Sequence, residues 1–200
     1  MGSSTARGIY KPVIVVTGPS GAGKGTLIHR LLARVPELEP TVSMTTRPQR
    51  PGEVDGREYH FRSDREFMDL VGAGGFLEWV TYVSGHRYGT PRSELDRIAG
   101  DGRVPVLELE TEGALRVKHE VPGAVTIFIS APVAELERRL RERATESAGE
   151  IGERTELARR QLAQAGEFDH VVENDAVERA AAELERIVRG VLDRAATMRP

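Results

Sequence analysis

Between residues 18 and 26 the chain reads Gly18-Pro19-Ser20-Gly21-Ala22-Gly23-Lys24-Gly25-Thr26, a glycine-rich run around a single cation. Glycines let the backbone approach a ligand closely, and the N–H groups of such a turn and of the helix after it can surround an anion. Lys24 can then reach the outer phosphates of a nucleotide. It is the only lysine between residues 12 and 117, in a chain whose 28 basic residues are all arginine except Lys11, Lys24 and Lys118. The flanks suit a phosphate loop: Val13-Ile14-Val15-Val16 reads as a strand, and Leu27, Ile28, Leu31 and Leu32 recur at helical spacing. Gly25 stands where that loop pattern usually carries Ser or Thr, so the hydroxyl normally offered to Mg²⁺ is missing there. Thr26 follows one place later, and Mg²⁺ would be held more through water and the substrate's own phosphates.

A second anion site is suggested by Ser43-Met44-Thr45-Thr46-Arg47-Pro48-Gln49-Arg50-Pro51-Gly52-Glu53. Two arginines three apart in a proline-stiffened segment present two guanidinium forks, which suit a phosphate monoester. Tyr59 and Tyr88 can add hydroxyl contacts or simply pack in the core.

These sites need a scaffold, and the composition bounds it. The chain has 200 residues, 39% hydrophobic and 30% charged, with a net charge of −3. That allows one folded domain and argues against both a disordered chain and a nucleic-acid binder coated in positive charge. With no cysteine, disulfides, cysteine-ligated metals and thiol nucleophiles are excluded. No apolar run reaches membrane-spanning length and the start shows no leader, so a cytoplasmic protein is expected, with no membrane role.

Further strand candidates are Val104 to Leu109, Val125 to Ile129 and, more weakly, Val171-Val172. Helical patterns occupy Leu95 to Ile98, Val133 to Arg143 and Ala176 to Leu192. Alternating apolar strands and helices predict an α/β fold, a three-layer P-loop NTPase-type core with a parallel sheet covered on both faces. Residues 41–90, rich in Thr, Arg, Pro, Gly and aromatics, read as an inserted small β subdomain. The Arg- and Glu-rich stretch 139–166 reads as a solvated helical pair or a lid.

The phosphate loop, Thr45-Thr46-Arg47-Pro48 with Arg50-Pro51-Gly52-Glu53, Gly56 with Tyr59 and Phe61, Leu77-Glu78-Trp79, Tyr88-Gly89-Thr90-Pro91, and Arg143 with Thr145-Glu146 and Arg154 together resemble the guanylate kinases. The resemblance runs in order from about residue 12 to residue 190. It implies transfer of a phosphoryl group from ATP, with Mg²⁺, to GMP, on a core (about 12–40, 91–138 and 167–195), a GMP-binding subdomain (41–90) and a lid (139–166). It puts Ser43, Arg47, Arg50, Tyr59, Glu78, Tyr88, Thr90 and Glu108 at the GMP site, and Arg139, Arg143 and Arg154 among the lid arginines that join Lys24 and Arg47 in catalysis. Thr26 and Glu110 fall near the metal. Asn174, next to Asp175, falls near the adenine, although a surface turn is an equal reading. The expected assembly is a monomer or a small homo-oligomer. Guanine offers adjacent N1–H and N2–H donors that one carboxylate can accept as a pair, which suits Glu78; adenine has no N1–H donor.

Four departures stand out. Glu108-Leu109-Glu110-Thr111-Glu112-Gly113 replaces the family's Asp-Ile-Asp-x-Gln-Gly, so two acids are a methylene longer and an amide has become a charge. Ala144 replaces the glycine usual after Arg143. The run from Tyr82 to Arg87 is one residue longer than usual, and its His86 reads as a loop histidine. Gly25 is the fourth. Two other functions remain open on these residues: a kinase of the same fold acting on a modified guanine nucleotide or a ribose bisphosphate, and an inactive guanylate-kinase-like binding module.

Overall fold

Strand β1 (Val13–Thr17) is buried along its whole length, and its side chains alternate between two apolar clusters. Ile14 and Val16 enter one and Val13 and Val15 the other, as the two-residue period of a strand requires. In this computed structural model, which describes residues 12–82, 84–142 and 148–197, β1 is the centre of the molecule.

The glycine-rich turn leads from β1 into helix α1 (Lys24–Arg34) and then the short edge strand β2 (Leu38–Pro40). The chain then leaves the core. It builds β3 (Met44–Thr45), β4 (His60–Phe61), α2 (Asp64–Gly72), β5 (Phe76–Thr81) and β6 (Arg87–Pro91). On its return it forms α3 (Arg92–Gly100), β7 (Val104–Glu108), α4 (Thr111–Glu120), β8 (Ala124–Ser130), α5 (Val133–Glu142), α6 (Ala148–Ala163), β9 (His170–Glu173) and α7 (Val177–Thr197).

The core sheet has the order β2-β7-β1-β8-β9 with every pairing parallel. Ile28 and Leu31 of α1, Leu136 of α5 and Leu184 and Val188 of α7 cover one face; Leu95 of α3, Ala114 and Val117 of α4 and Phe168 cover the other. The fold is therefore the expected three-layer α/β arrangement, and each such buried side chain contributes about 1.5–3 kcal/mol. Because β7 and β8 flank β1, their carboxyl ends open at the point where strand order reverses, where ligands of open α/β sheets bind.

The second sheet has the order β4-β3-β6-β5 and is mixed: β3 and β4 run parallel, and β6 runs antiparallel to both β3 and β5. A bulge between Phe76 and Glu78 resets the β5–β6 register so that Glu78 lies opposite Thr90 and Trp79 opposite Gly89. A Cβ on Gly89 would lie 2.8 Å from the Trp79 Cβ and 2.9 Å from the Glu78 carbonyl, so only glycine fits.

Several elements differ from the sequence expectation. The strand expected through Leu109 ends at Glu108, and the terminal helix extends to Thr197. Helices α2 and α4 were not anticipated. Each is short and buries few apolar residues, Phe67 alone in α2 and Ala114 and Val117 in α4, so the apolar pattern that marks it is brief. Helix α2 instead carries a start signal in Ser63 and Glu66, a reciprocal capping box. The 139–166 stretch is helical where described; Arg143, Ala144, Thr145 and Glu146 lie outside the described residues.

Candidate active site

The phosphate loop is held from behind. Gly18, Gly21 and Gly23 all have positive φ, and a Cβ on Gly18 would lie 2.2 Å from the Ile129 carbonyl oxygen on β8. Asn174, just past β9, is 1% exposed and its Nδ2 donates to the Ala22 carbonyl at 2.7 Å. A Cβ on Gly23 would lie 2.5 Å from that Nδ2. From α5, Arg139 donates to the Gly21 carbonyl at 3.1 Å and the Asn174 carbonyl at 3.3 Å, while its Nε is fixed by Glu135 at 2.7 Å. Hydrogen bonds from Arg138 and Arg139 hold the Glu135 carboxyl down at about 2. With these carbonyls occupied, the N–H groups at the start of α1 remain for an anion. Lys24 lies over its own loop, its Nζ 2.8 Å from the Gly18 carbonyl and 3.2 Å from that of Pro19. Asn174 and Arg139 therefore act on the loop backbone in this structure.

A cleft of about 440 Å³ runs from this loop to the second sheet, lined among others by Lys24, Ser43, Tyr59, Glu78, Tyr88 and Glu108. At its far end the Oε1 atom of Glu78 accepts from Thr90 N at 3.1 Å and Thr90 Oγ1 at 2.8 Å. Thr90 is fully buried, so its hydroxyl serves the Glu78 carboxylate instead of pointing at a base. Gly113, in the first turn of α4, forms the floor: a Cβ there would lie 3.2 Å from Glu78 Oε2. Burial pushes the Glu78 carboxyl above the usual carboxylate range, and the Thr90 bonds only partly oppose this.

Arg47 and Arg50 flank the turn after β3. Arg47 is 9% exposed, its guanidinium 5.5 Å from the ring centroids of both Tyr59 and Phe61. Glu53 grips it bidentately, at 2.8 and 3.0 Å, and also accepts the Arg50 N–H at 2.7 Å. The Arg47 hydrogen bond, followed by the Arg50 N–H, holds the Glu53 carboxyl below its usual range. Arg47 is thus preorganised, whereas Arg50 is exposed at the turn.

On the core side Glu108 and Glu110 follow each other from the end of β7. Solvent in the cleft reaches Glu108, yet the walls around it exclude enough bulk water to raise its carboxyl; Lys24 opposes the rise and Glu110 adds to it. Its Oε2 lies 4.0 Å from where a Cβ on Gly25 would be. Glu110 accepts from the Tyr82 hydroxyl at 3.4 Å, across the cleft. Burial and then Glu110 push that hydroxyl up to about 12, so it stays a donor at neutral pH. Tyr88 is the middle of an aromatic row, 5.7 Å from Tyr59 and 5.0 Å from Tyr82 in edge-on contacts. Thr26 is exposed in the first turn of α1, and Arg154 is exposed on α6. Arg143 lies outside the described residues.

The sequence pattern assigns no role to three residues that shape this site: Glu53, Tyr82 and Gly113. Only Glu53 carried a local signal, an acid six residues from Arg47 inside the same turn.

A parallel sheet with a phosphate loop at its carboxyl edge, joined by one cleft to a second sheet carrying Arg47 and Glu78, defines a P-loop kinase of small substrates. The chain matches a family model described as guanylate kinase over residues 10–191. It is 46% identical over 177 residues to a guanylate kinase of Synechococcus sp. (strain JA-3-3Ab), covering 88% of this chain and 81% of that one. It is also 46% identical over 181 residues to a guanylate kinase of Rubrobacter xylanophilus, covering 90% and 94%. Among solved structures, a guanylate kinase from Anaplasma phagocytophilum superposes with a TM-score of 0.69 at 28% identity, covering 90% of this chain and 86% of that one. The chain belongs to the guanylate kinase family.

Proposed function

We propose that the chain transfers the γ-phosphoryl group of ATP to GMP, giving ADP and GDP. The observation that carries this reading is a single cleft with Lys24 of the phosphate loop near one end and Glu78, fixed by two Thr90 donors, near the other. A carboxylate held in one orientation accepts the paired N1–H and N2–H donors of guanine. Ser43 lines the same cleft and its hydroxyl can donate to a guanine acceptor.

Phosphoryl transfer asks for alignment and charge neutralisation more than for covalent chemistry. Lys24 holds the outer phosphates of ATP. Arg47, already aimed by Glu53, takes the GMP phosphate together with Arg50, Tyr59 and Tyr88, so the acceptor oxygen meets the γ-phosphorus in line. Residues 41–90 serve as the GMP-binding subdomain and 139–166 as the lid, whose arginines close over the developing charge. The reaction needs no covalent enzyme intermediate.

The donors near the phosphate loop, the Thr26 hydroxyl and the Glu110 carboxylate, are hard oxygens, and among the described residues no group of three acidic or histidine side chains forms a ready cage. That donor set fits Mg²⁺, which is commonly held by one or two carboxylates plus substrate phosphates and water. Thr26 and Glu110 would hold it through water. When bound it neutralises charge on the transferring phosphates. No helix among the described residues is long and apolar enough to cross a membrane; nucleotide substrates and the absence of cysteine suit the cytoplasm.

The test is ADP production from ATP and Mg²⁺ with GMP, dGMP, AMP, UMP or ribose 1,5-bisphosphate as acceptor, and Lys24→Ala as the blank. Turnover confined to guanine nucleotides and lost in the blank supports the reading. Turnover on the ribose bisphosphate, or none on any acceptor by a folded protein, overturns it.

A further inference from the structure

The chain enters the second sheet through Thr41 to Ser43 and leaves it through Pro91 into α3, and one buried carboxylate touches both crossings. Glu94, in the first turn of α3, is 4% exposed. Its Oε2 accepts the Val42 N–H at 2.9 Å and Arg97 Nη2 at 3.1 Å. Its Oε1 accepts Arg97 Nε at 3.2 Å and lies 3.4 Å from His60 Nε2 on β4. Burial works against a charge there, but the bonds from Arg97 and Val42 outweigh it, and the carboxyl lies below its usual range.

The network continues into the core. Arg97 also donates to Glu39 on β2 at 2.6 Å, and Glu39 accepts from Arg103, just before β7, at 3.1 Å. In the other direction the next residue after Val42 is Ser43, whose carbonyl accepts the His60 N–H at 2.8 Å. Glu94 therefore fixes Ser43 from two sides, through the preceding N–H and through the β4 strand that Ser43 pairs with. It does so from the helix that directly continues Thr90-Pro91, the strand end that orients Glu78. None of these atoms belongs to the substrate cleft as such, and the phosphoryl transfer does not use them.

We infer that Glu94 is a positioning residue for the acceptor nucleotide: it pins the entry and exit of the second sheet together so that Ser43 and the Glu78–Thr90 pair face one base in a constant geometry. This rests on GMP being the acceptor. The hydrogen bonds of Glu94 and Arg97 run to Val42, His60 and Glu39, at the end of the cleft away from the phosphate loop, so the effect is expected to fall on one substrate.

The experiment compares Glu94→Gln and His60→Ala with the unaltered chain, measuring KM for GMP, KM for ATP, kcat, and GMP affinity by calorimetry without ATP. In Glu94→Gln a single acceptor oxygen replaces two, and KM and Kd for GMP are expected to rise about tenfold, with KM for ATP within twofold. His60→Ala removes one of the ligands and is expected to raise KM for GMP about threefold. The double variant is expected to be no worse than Glu94→Gln alone, because both act through one carboxylate. A merely structural glutamate would lower thermal stability and the active fraction, and hence kcat, leaving both KM values in place; that outcome overturns the inference. So does an equal rise in both KM values. If the unaltered chain neither binds nor phosphorylates GMP, the acceptor reading fails first and this inference with it, a result distinct from normal GMP use by Glu94→Gln.

Discussion

Glu78 meets two opposed demands. On the proposed function it must be ionised to accept both guanine donors, yet it sits where burial favours the neutral acid. Because its folded pKa lies above the unfolded value, the stability linked to protonation is full below the unfolded pKa, about 4.5, and is lost as pH rises through the folded pKa. Glu78→Gln is therefore expected to be at least as stable as the unaltered chain at neutral pH while raising KM for GMP about a hundredfold, from loss of charge-assisted bonds. The unaltered chain's KM for GMP should climb more steeply than the variant's as pH falls from neutral, since the phosphate monoester of GMP, with a second pKa of about 6, titrates in both; steady-state kinetics from pH 5 to 8 would show the difference. Glu53 works one step back from the substrate. Glu53→Ala frees the Arg47 fork, and we expect KM for GMP to rise about tenfold with KM for ATP unchanged.

The elements carry this chemistry through backbone geometry. The phosphate loop owes its shape to contacts a side chain would destroy: Gly18→Ala places a Cβ 2.2 Å from the Ile129 carbonyl, at a φ of +139° that L residues avoid. A loss of about 3 kcal/mol or more is expected in urea unfolding, with ATP use abolished in whatever folds. Helix α2 offers a contrast, since Ser63 and Glu66 close a capping box and neither lines the cleft. Ser63→Ala should cost about 1 kcal/mol and leave both KM values in place. That box was readable as Ser-x-x-Glu, but the helix was not, because its nine residues carry only one brief apolar set, Phe67, Leu70 and Val71. The core strands were legible for the opposite reason: fully buried parallel strands appear as continuous apolar runs, as in Val13 to Val16 and Val104 to Leu107.

At the scale of the molecule, two sheets are joined by two short crossings, and the buried Glu94 between them is one of several depressed carboxylates whose protonation weakens the fold in acid. The folded pKa of Glu94 is depressed, so its contribution to stability is present above about 4.5 and lost as pH falls through the lower folded value. Asp169, hydrogen-bonded by Thr126 and paired with Lys118 at 2.9 Å, behaves in the same sense. Unfolding followed from pH 7 down to 3 should show stability falling below about pH 4.5, with a shallower fall in Glu94→Gln. On the proposed function, closure over the cleft is expected to be fullest with both nucleotides bound, since two anionic sites must be brought together and water excluded. Small-angle scattering should show the largest contraction with both sites filled, and less with ATP or GMP alone.

The sequence by itself determined the class of the core, the phosphate loop and the residue types that line the cleft. Each is written locally, in apolar runs, in glycines around one lysine, and in arginines and an acid in a family's order. Only the tertiary structure decided how those residues are used. Thr90 holds Glu78, Asn174 and Arg139 grip the loop's carbonyls, Glu53 occupies the fork of Arg47, Gly113 makes room for a carboxylate from another sheet, and Glu94 ties its own crossing to Val42, 52 residues earlier. The physical reason is that a side chain's hydrogen-bond partner is set by which strands and helices are brought side by side. Residue type limits what a group can donate or accept; the packing of distant segments selects the partner.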